Sequence, residues 1–470
     1  MTLTINTDRL LRELHHLASL TDCPPTEDTS LPAPTQAVTR IVFTSRDLEA
    51  RAWLTSLARD AGFTVRTDAV GNTFLRFTGS EPTLPAVGTG SHTDAIPHAG
   101  MYDGTVGVLG GLEAMRALKE SGFRPKRSIE TLMFTSEEPT RFGIGCIGSR
   151  LLGGVIDPAT ADALPDRLPE TEPTAPEGLT LKEVRTAAGF QGDLAAVKLT
   201  TDYYAAWVEL HIEQGPLLER AMLEATSAGE DSALKGTGFS PSVQPAKDAG
   251  ALAPEGTILG IVTNIAAPAS YRFIIQGFGG HAGALLMPDR RDALCAAAEI
   301  ILSVEKHTLA ANAQSHSSDS VATIGTVGVH PGAVNSVPSR VTLALDIRDT
   351  DVARRDRTMA LLRADIRDIE SRRRVTVAEE IINADIPAVS DPHIVATLES
   401  VCTAEKIPYQ RMVSRAYHDS SFMARVAPIA MLFIPCRNGV SHRPDESATP
   451  EAIALGTRVL ALTLARLASE

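Results

Sequence analysis

The sequence predicts an α/β fold with a mainly parallel central sheet, interrupted by a separate α+β domain inserted into it. Three observations lead there. At 470 residues the chain exceeds the roughly 250–300 at which a single core stops growing, which favours two domains. Buried-strand runs alternate with helical periodicity through the first half, the order that makes a parallel sheet with helices over both faces. From about Ala267 to Asn383 a second series of strands and helices intervenes before the first domain resumes, giving 1–266 and 384–470 as one domain and 267–383 as the other.

Helical periodicity marks "TDRLLRELHHLASL" and "SRDLEARAWLTSLARDAG", and "FTVRTDAVGNTFLRFTG" alternates around a "GN" turn as a hairpin does. "LPAVGTGSH" reads as a buried strand, "GVLGGLEAMRALKESG" as a glycine-tolerant helix, and "RSIETLMFTSEE" as the next strand. Residues 157–197 are rich in Pro, Ala, Thr and acidic residues, with a short helix at "TLKEVRTAAG"; the sheet resumes at "AAWVELHIEQGP". Ala225 to Glu255 lacks apolar periodicity and reads as an exposed insertion loop. In the inserted domain "YRFIIQGFGG", "VATIGTVGV", "RVTLALDIRD" and "VTVAEEII" are strands, and "RRDALCAAAEIILSVEKH" and "VARRDRTMALLRADIRDIESR" helices. "PIAMLFIPC" is a last buried strand, followed by the loop "RNGVSHRPDES" and a helix that Thr449 caps with Pro450 at its first position. No internal repeat or heptad array is visible.

A composition of 43% hydrophobic, 21% charged and 4% aromatic residues is that of an ordinary globular protein. The net charge of −13 argues against nucleic acid or an anionic membrane as partner, since both demand a basic footprint. Apolar stretches end well before the ~18 residues of a spanning helix, and the first residues lack a basic then apolar leader, so a cytoplasmic location is expected. Cys23, Cys146, Cys295, Cys402 and Cys436 are odd in number and scattered, which reads as buried small hydrophobes, with a catalytic thiol as the rival.

Four loops that follow predicted strands each open with a metal-capable side chain. His92 and Asp103 follow the first, Glu137 and Glu138 the second, His211 with Glu213 the third, and His442 the last. In open parallel sheets the carboxyl ends of the strands face one crevice, so these residues are expected to converge. Imidazoles mixed with carboxylates suit Zn²⁺, Mn²⁺ or Co²⁺ rather than an all-oxygen Ca²⁺ cage. Two residues beyond His92, the carboxylate of Asp94 is expected to fix the ring's tautomer. Of the adjacent glutamates, one can ligate a metal while the other reaches a water.

The blocks "GSHTDAIPHAGMYDG", "TSEEPTRFGIGCIGSR", "ELHIEQGPLLE", "GGHAGALLMPDRRDA", "HPGAVNSVPSRVTLALDIRD", "YHDSSFMA" and "GVSHRPDE" run in order along nearly the whole chain. Together they resemble the di-metal aminoacylase and carboxypeptidase-like superfamily, in its amidase and carbamoylase branch. The resemblance implies a di-metal exopeptidase-like catalytic domain plus an inserted lid and dimerisation domain. It implies two divalent ions per subunit, Mn²⁺ first, with Zn²⁺, Co²⁺ and Ni²⁺ as alternatives. His92, Asp103 and His211 would hold one ion, and Asp103, Glu138 and His442 the other, with Asp103 bridging and Glu137 as general base.

It further implies that Gln214 lines the site, that His281 reaches across a homodimer to stabilise the oxyanion, that Asn335 and Arg348 bind substrate, and that Tyr417 and His418 form a polar pair in the pocket. The implied activity is hydrolysis of a linear ureido or amide C–N bond in a small carboxylic acid, with no nucleic acid or membrane partner. The variants "SHTDAIP", "EEPTRFG", "IAAPAS" and "SRAYHDSSFMA" favour ureidoglycolate, an intermediate of purine catabolism, as that ureido acid. Allantoate and N-carbamoyl amino acids are the alternatives, their enzymes more typically reading "EEGSRF" and "GAGHDA". A catalytically silent scaffold is the rival of another class; against it, all the ligand positions and Glu137 are present.

Overall fold

The computed structural model describes residues 3–23, 36–168, 176–230, 256–317 and 319–470. The chain divides into two compact units, one of Met1–Thr263, Val389–Met412 and His418–Glu470, the other of Asn264–Ala388 and Val413–Tyr417. Among the described residues no helix is long and apolar enough to cross a membrane.

Four strands form the centre of the larger unit's sheet: Ile429–Ile434, Tyr204–Ile212, Ala86–His92 and Ile129–Phe134, adjacent in that order and each pair parallel. Antiparallel strands flank this centre, with Thr73–Phe77 and Thr64–Thr67 on one side and Leu259–Ile265 on the other. The sheet is therefore mixed, and the four strands that carry the site run parallel to one another. Every residue of Ala86–His92, Ile129–Phe134 and Ile429–Ile434 is buried. Burial on both faces is why these segments read as continuous apolar or small-residue runs instead of alternating ones.

The helix Thr105–Glu120 lies so close to the sheet that only small residues fit between them. A Cβ on Gly107 would stand 2.6 Å from the Leu210 carbonyl oxygen and 2.7 Å from Ser91 Cβ. Leu109, Leu112, Leu210, Leu432, Leu460 and Leu464 belong to the buried apolar cluster of this unit. The last helix, Pro450–Leu467, starts where the sequence places it, with the Thr449 side chain accepting the Ala452 N–H at 3.1 Å.

Sequence expectations change at the insertion and at the cysteines. Helix Leu217–Glu230 runs through Ala225, where the insertion loop was expected to begin; residues 231–255 lie outside the described residues. Nothing in "LLERAMLEATSAGE" before Gly229 ends a helix, so propensity carries it past the loss of apolar periodicity. Among the cysteines Cys146, Cys402 and Cys436 are buried, but Cys295 is exposed and Cys23 intermediate.

In the smaller unit four antiparallel strands lie in the order Val321–His330, Arg340–Asp349, Ala267–Gln276, Thr376–Ala384. Alternate residues Tyr271, Phe273 and Ile275, with Val341, Leu343, Leu345 and Ile347, form its core with residues of the helices Ala293–Ser315 and Val352–Arg373. Val413–Tyr417, read from sequence as part of the first domain, belongs here. The Ser414 carbonyl accepts the Ala266 N–H, and Arg415 pairs with Asp319 at 2.9 Å. Gly107→Ala is expected to cost about 1–3 kcal/mol of stability through overpacking, measured as a lowered denaturant midpoint at unchanged slope.

Candidate metal centre

The carboxyl ends of the four parallel strands supply one polar cluster. His92 ends the strand Ala86–His92, His211 is the penultimate residue of Tyr204–Ile212, and Glu137 and Glu138 follow Ile129–Phe134. His442 comes from the loop after Ile429–Ile434. Asp103 precedes the helix Thr105–Glu120 and stands at the middle of the cluster. Its Oδ1 is 3.1 Å from His211 Nε2 and 3.8 Å from His92 Nε2, whereas its Oδ2 is 3.1 Å from His442 Nε2. His442 Nε2 is also 3.5 Å from Glu138 Oε1. The donors thus fall into two groups, His92–Asp103–His211 and Asp103–Glu138–His442, each with its atoms within 4.8 Å of one another and both sharing Asp103.

Backbone groups aim the rings. The Nδ1 of His92 donates to the Asp94 carbonyl and that of His211 to the Ile212 carbonyl, both at 2.9 Å, so each ring turns Nε2 toward Asp103. The expectation for Asp94 is corrected here, because its carboxylate Oδ1 lies 3.8 Å from His92 Nδ1 and its carbonyl is the ring's partner. The strand-end turn brings the carbonyl nearer and leaves the carboxylate to accept the N–H groups of Glu137 at 3.3 Å and Glu138 at 3.0 Å. Gly104, with φ 67°, is the only residue type that fits beside them, since a Cβ there would stand 2.4 Å from His92 Nε2. Ser136, Cys146, Gln214 and His442 hold left-handed conformations without being glycine. Such conformations cost on the order of 1–3 kcal/mol each and persist where surrounding contacts enforce them.

Negative charge dominates the cluster. Among the described residues, the ionic partners of Asp94, Asp103, Glu137 and Glu138 are all histidines. Burial, then the charge of Glu138, holds Glu137 well above the usual carboxylate range. Burial pushes Glu138 up to about 8 and, with Asp103 beside it, Glu446 to about 7. Burial would also raise Asp103, but hydrogen bonds from His211 and His442 outweigh it and keep it well below its ordinary value. His442 is raised to about 9 by Asp103, and His211 reaches about 9 because Asp103 overcomes the lowering effect of burial. Buried carboxylates with no lysine or arginine ion-pair partner among the described residues, arranged as two mixed nitrogen and oxygen groups, fit a pair of divalent cations.

Gln214 donates from Nε2 to Asp103 Oδ2 at 2.8 Å, and the His418 ring packs edge-on to His211 with centroids 4.6 Å apart. Several residues of the cluster escaped sequence reasoning. Glu446 accepts the N–H groups of Tyr102 and Asp103 and the Ser441 hydroxyl, and its place four residues after His442 was the available signal. Glu209 groups with His211 and His418, and its spacing of two from His211 puts both on one face of a strand. Cys146 donates its thiol to Glu137 Oε1 at 3.3 Å, and no local pattern announces this contact. His98, by contrast, is exposed and lies 3.2 Å from Cys23 Sγ.

His281, Asn335, Arg348 and Tyr417 belong to the smaller unit. His281, exposed in the two-residue strand Gly280–His281, accepts the Gly283 N–H at Nδ1 over 3.1 Å, which leaves the proton on Nε2. Asn335 is exposed, and its carbonyl accepts the Ala282 N–H. Arg348, expected to grip a substrate carboxylate, turns its fork to Asp346 at 2.8 and 3.3 Å, two residues away on the same strand face. Of Tyr417 and His418, expected as a polar pair, the Tyr417 hydroxyl donates to Asp385 in the smaller unit, and His418 is buried in the larger one.

Residues 88–466 match the model of peptidase family M20/M25/M40. The chain is 44% identical to the "Ureidoglycolate hydrolase" of Arabidopsis thaliana over 99% of its own length and 87% of that protein's. It is 33% identical to the N-carbamoyl-L-amino acid amidohydrolase of Geobacillus stearothermophilus over 93% of its length and 94% of that protein's. The crystal structure of AtUAH in complex with (S)-hydroxyglycine superposes with a TM-score of 0.79 at 42% identity, covering 100% of this chain and 99% of that one. From the shared-aspartate cluster at the strand ends to the match along most of its length, the chain belongs to peptidase family M20/M25/M40.

Proposed function

We propose that this chain is a metal-dependent amidohydrolase that cleaves a linear ureido C–N bond in a small carboxylic acid, with ureidoglycolate as the substrate. The observation that carries the reading is the shared Asp103, which offers one oxygen to His92 and His211 and the other to His442. Full-length similarity to the ureidoglycolate hydrolase of Arabidopsis supports the substrate over allantoate or an N-carbamoyl amino acid. Hydrolysis at the ureido carbonyl releases ammonia and a carbamate, which loses carbon dioxide to give hydroxyglycine. Loss of the second ammonia leaves glyoxylate.

His92, Asp103 and His211 would hold one divalent ion and Asp103, Glu138 and His442 the second, with Mn²⁺ first among the candidates. When bound, the ions supply positive charge that polarises the scissile carbonyl and acidifies a water. Glu137 takes the proton from the attacking water and returns it to the departing nitrogen. Nε2–H of His281 donates to the oxygen that gains charge, from the partner subunit of a homodimer. Gln214 holds Asp103 in place, Asn335 binds substrate, and Arg348 must exchange Asp346 for the substrate carboxylate to bind it.

Ammonia release measured side by side with ureidoglycolate, allantoate and N-carbamoyl-β-alanine is expected to be fastest with the first, and turnover of the last alone would overturn the substrate. Glu137→Gln should lower kcat by about 10²–10⁴-fold at unchanged metal content, read by kinetics and elemental analysis. Mixing inactive Glu137→Gln and His281→Ala subunits should restore about a quarter of the parent rate, because half the dimers would be mixed and each would own one intact site. Rates that stay at zero after subunit exchange would rule out a shared site.

Metal removal should make stability depend on pH in a defined direction. Glu446, Glu138, His211 and His442 all bind protons more tightly folded than unfolded, so their contribution is present at low pH and is lost as pH rises through about 7, 8 and 9. The chelated protein's Tm is therefore expected to fall between about pH 5 and pH 9, and Mn²⁺ to flatten that slope.

A further inference from the structure

The proton-carrying glutamate has a partner that the proposed reaction does not use. Cys146 is fully buried, and its thiol donates to Glu137 Oε1 at 3.3 Å, while the other oxygen, Oε2, lies 3.7 Å from His92 Nε2. Glu137's two oxygens are thus divided between the thiol and the metal cluster. Burial, then the charge of Glu137, pushes the thiol well above its ordinary range, so it remains protonated and able to donate.

The backbone around this contact is built to keep it. Cys146 takes a left-handed conformation, φ 57° and ψ 33°, in which its own N–H donates to the Glu137 carbonyl at 2.8 Å. The next two N–H groups, of Ile147 and Gly148, donate to the carbonyls of Ser136 and Thr135 at 2.9 Å each. Gly145 lies so close that a Cβ would stand 2.4 Å from the Glu137 carbonyl oxygen. The segment entering helix Ile147–Leu152 is therefore laced to the segment leaving strand Ile129–Phe134, with the thiol and the carboxylate facing each other across the seam.

We infer that Cys146 is a positioning residue for Glu137, its S–H holding Oε1 so that Oε2 is presented to the reacting water. This rests on the role proposed above for Glu137. A thiol is a weak donor, and weakness is an advantage here, because it orients the carboxylate without binding the proton that the carboxylate must accept and release. Without it the glutamate gains rotamers that point its oxygens away from the cluster, a loss that falls on the chemical step and leaves substrate binding intact.

The test uses the metal-loaded full chain with Cys146→Ala, Cys146→Ser and Glu137→Gln. Cys146→Ala is expected to lower kcat on the order of tenfold with KM within twofold of the parent, and Cys146→Ser, which keeps a donor, to recover most of that loss. In the Glu137→Gln background Cys146→Ala should change kcat less than twofold, since its effect passes through the carboxylate. Independently of turnover, the infrared S–H stretching band that disappears in Cys146→Ala should shift in Glu137→Gln.

An unmoved band would overturn the contact. Equal losses from alanine and serine, or a loss that persists undiminished in the Glu137→Gln background, would overturn the positioning role, as would a change confined to KM. If the parent turns over none of the ureido or carbamoyl acids, the function reading falls by itself, and the band still tests whether thiol and carboxylate are joined.

Discussion

The larger unit is organised around the burial of like charge. Asp94, Asp103, Glu138 and Glu446 are all buried, and Glu137 lies among them. Desolvating one ionised carboxylate costs several kcal/mol even after relaxation. The helix Thr105–Glu120 points its N-terminus at Asp103, but a helix dipole contributes only about 0.3–1 kcal/mol to a nearby anion. That is too small to balance the set, and histidine protons balance it only where the rings already touch Asp103. Two cations of charge +2 are the natural complement, which is why a shared carboxylate between two imidazole-bearing groups says more than any single ligand does.

Holding such a cluster requires a scaffold that does not yield. The four parallel strands are buried on both faces, and the glycines of Thr105–Glu120 let the helix carrying Asp103 at its start sit almost on the sheet. The distance from His92 and His211 to Asp103 is therefore fixed by backbone packing, with the rings themselves tied to carbonyls next to them in sequence. The cost is visible locally: Ser136, Cys146, Gln214 and His442 sit in left-handed backbone that their side chains do not favour. Rules of local preference are broken around the site, as expected where function sets the geometry.

The convergence of these metal-capable side chains could be read from the sequence because it depends on one coarse fact, that His92, Glu138, His211 and His442 follow strands whose ends face the same way. What depended on the direction of a side chain could not be read. Asp94 was placed correctly beside His92, yet which of its oxygens meets the ring is decided by a turn of the backbone. Arg348 carries the right group for a carboxylate, but Asp346, two residues along the same face, takes it first. Tyr417 and His418 are neighbours in sequence and divide between units, because the chain leaves the smaller unit between them. Glu446 and Cys146 act through contacts across hundreds of residues or across a loop, and neither leaves a periodic trace.

The adjacent glutamates show how one local device separates two roles. Extended backbone would send the side chains of Glu137 and Glu138 in opposite directions. Instead the Asp94 carboxylate accepts both of their N–H groups, one on each oxygen, which pins the bend at which the strand ends. From that bend Glu138 reaches His442, and Glu137 lies between Cys146 and His92. Asp94 therefore governs both carboxylates without touching either one. The division between a carboxylate that meets His442 and one that lies between Cys146 and His92 is set by the backbone, before the side chains make any contact of their own.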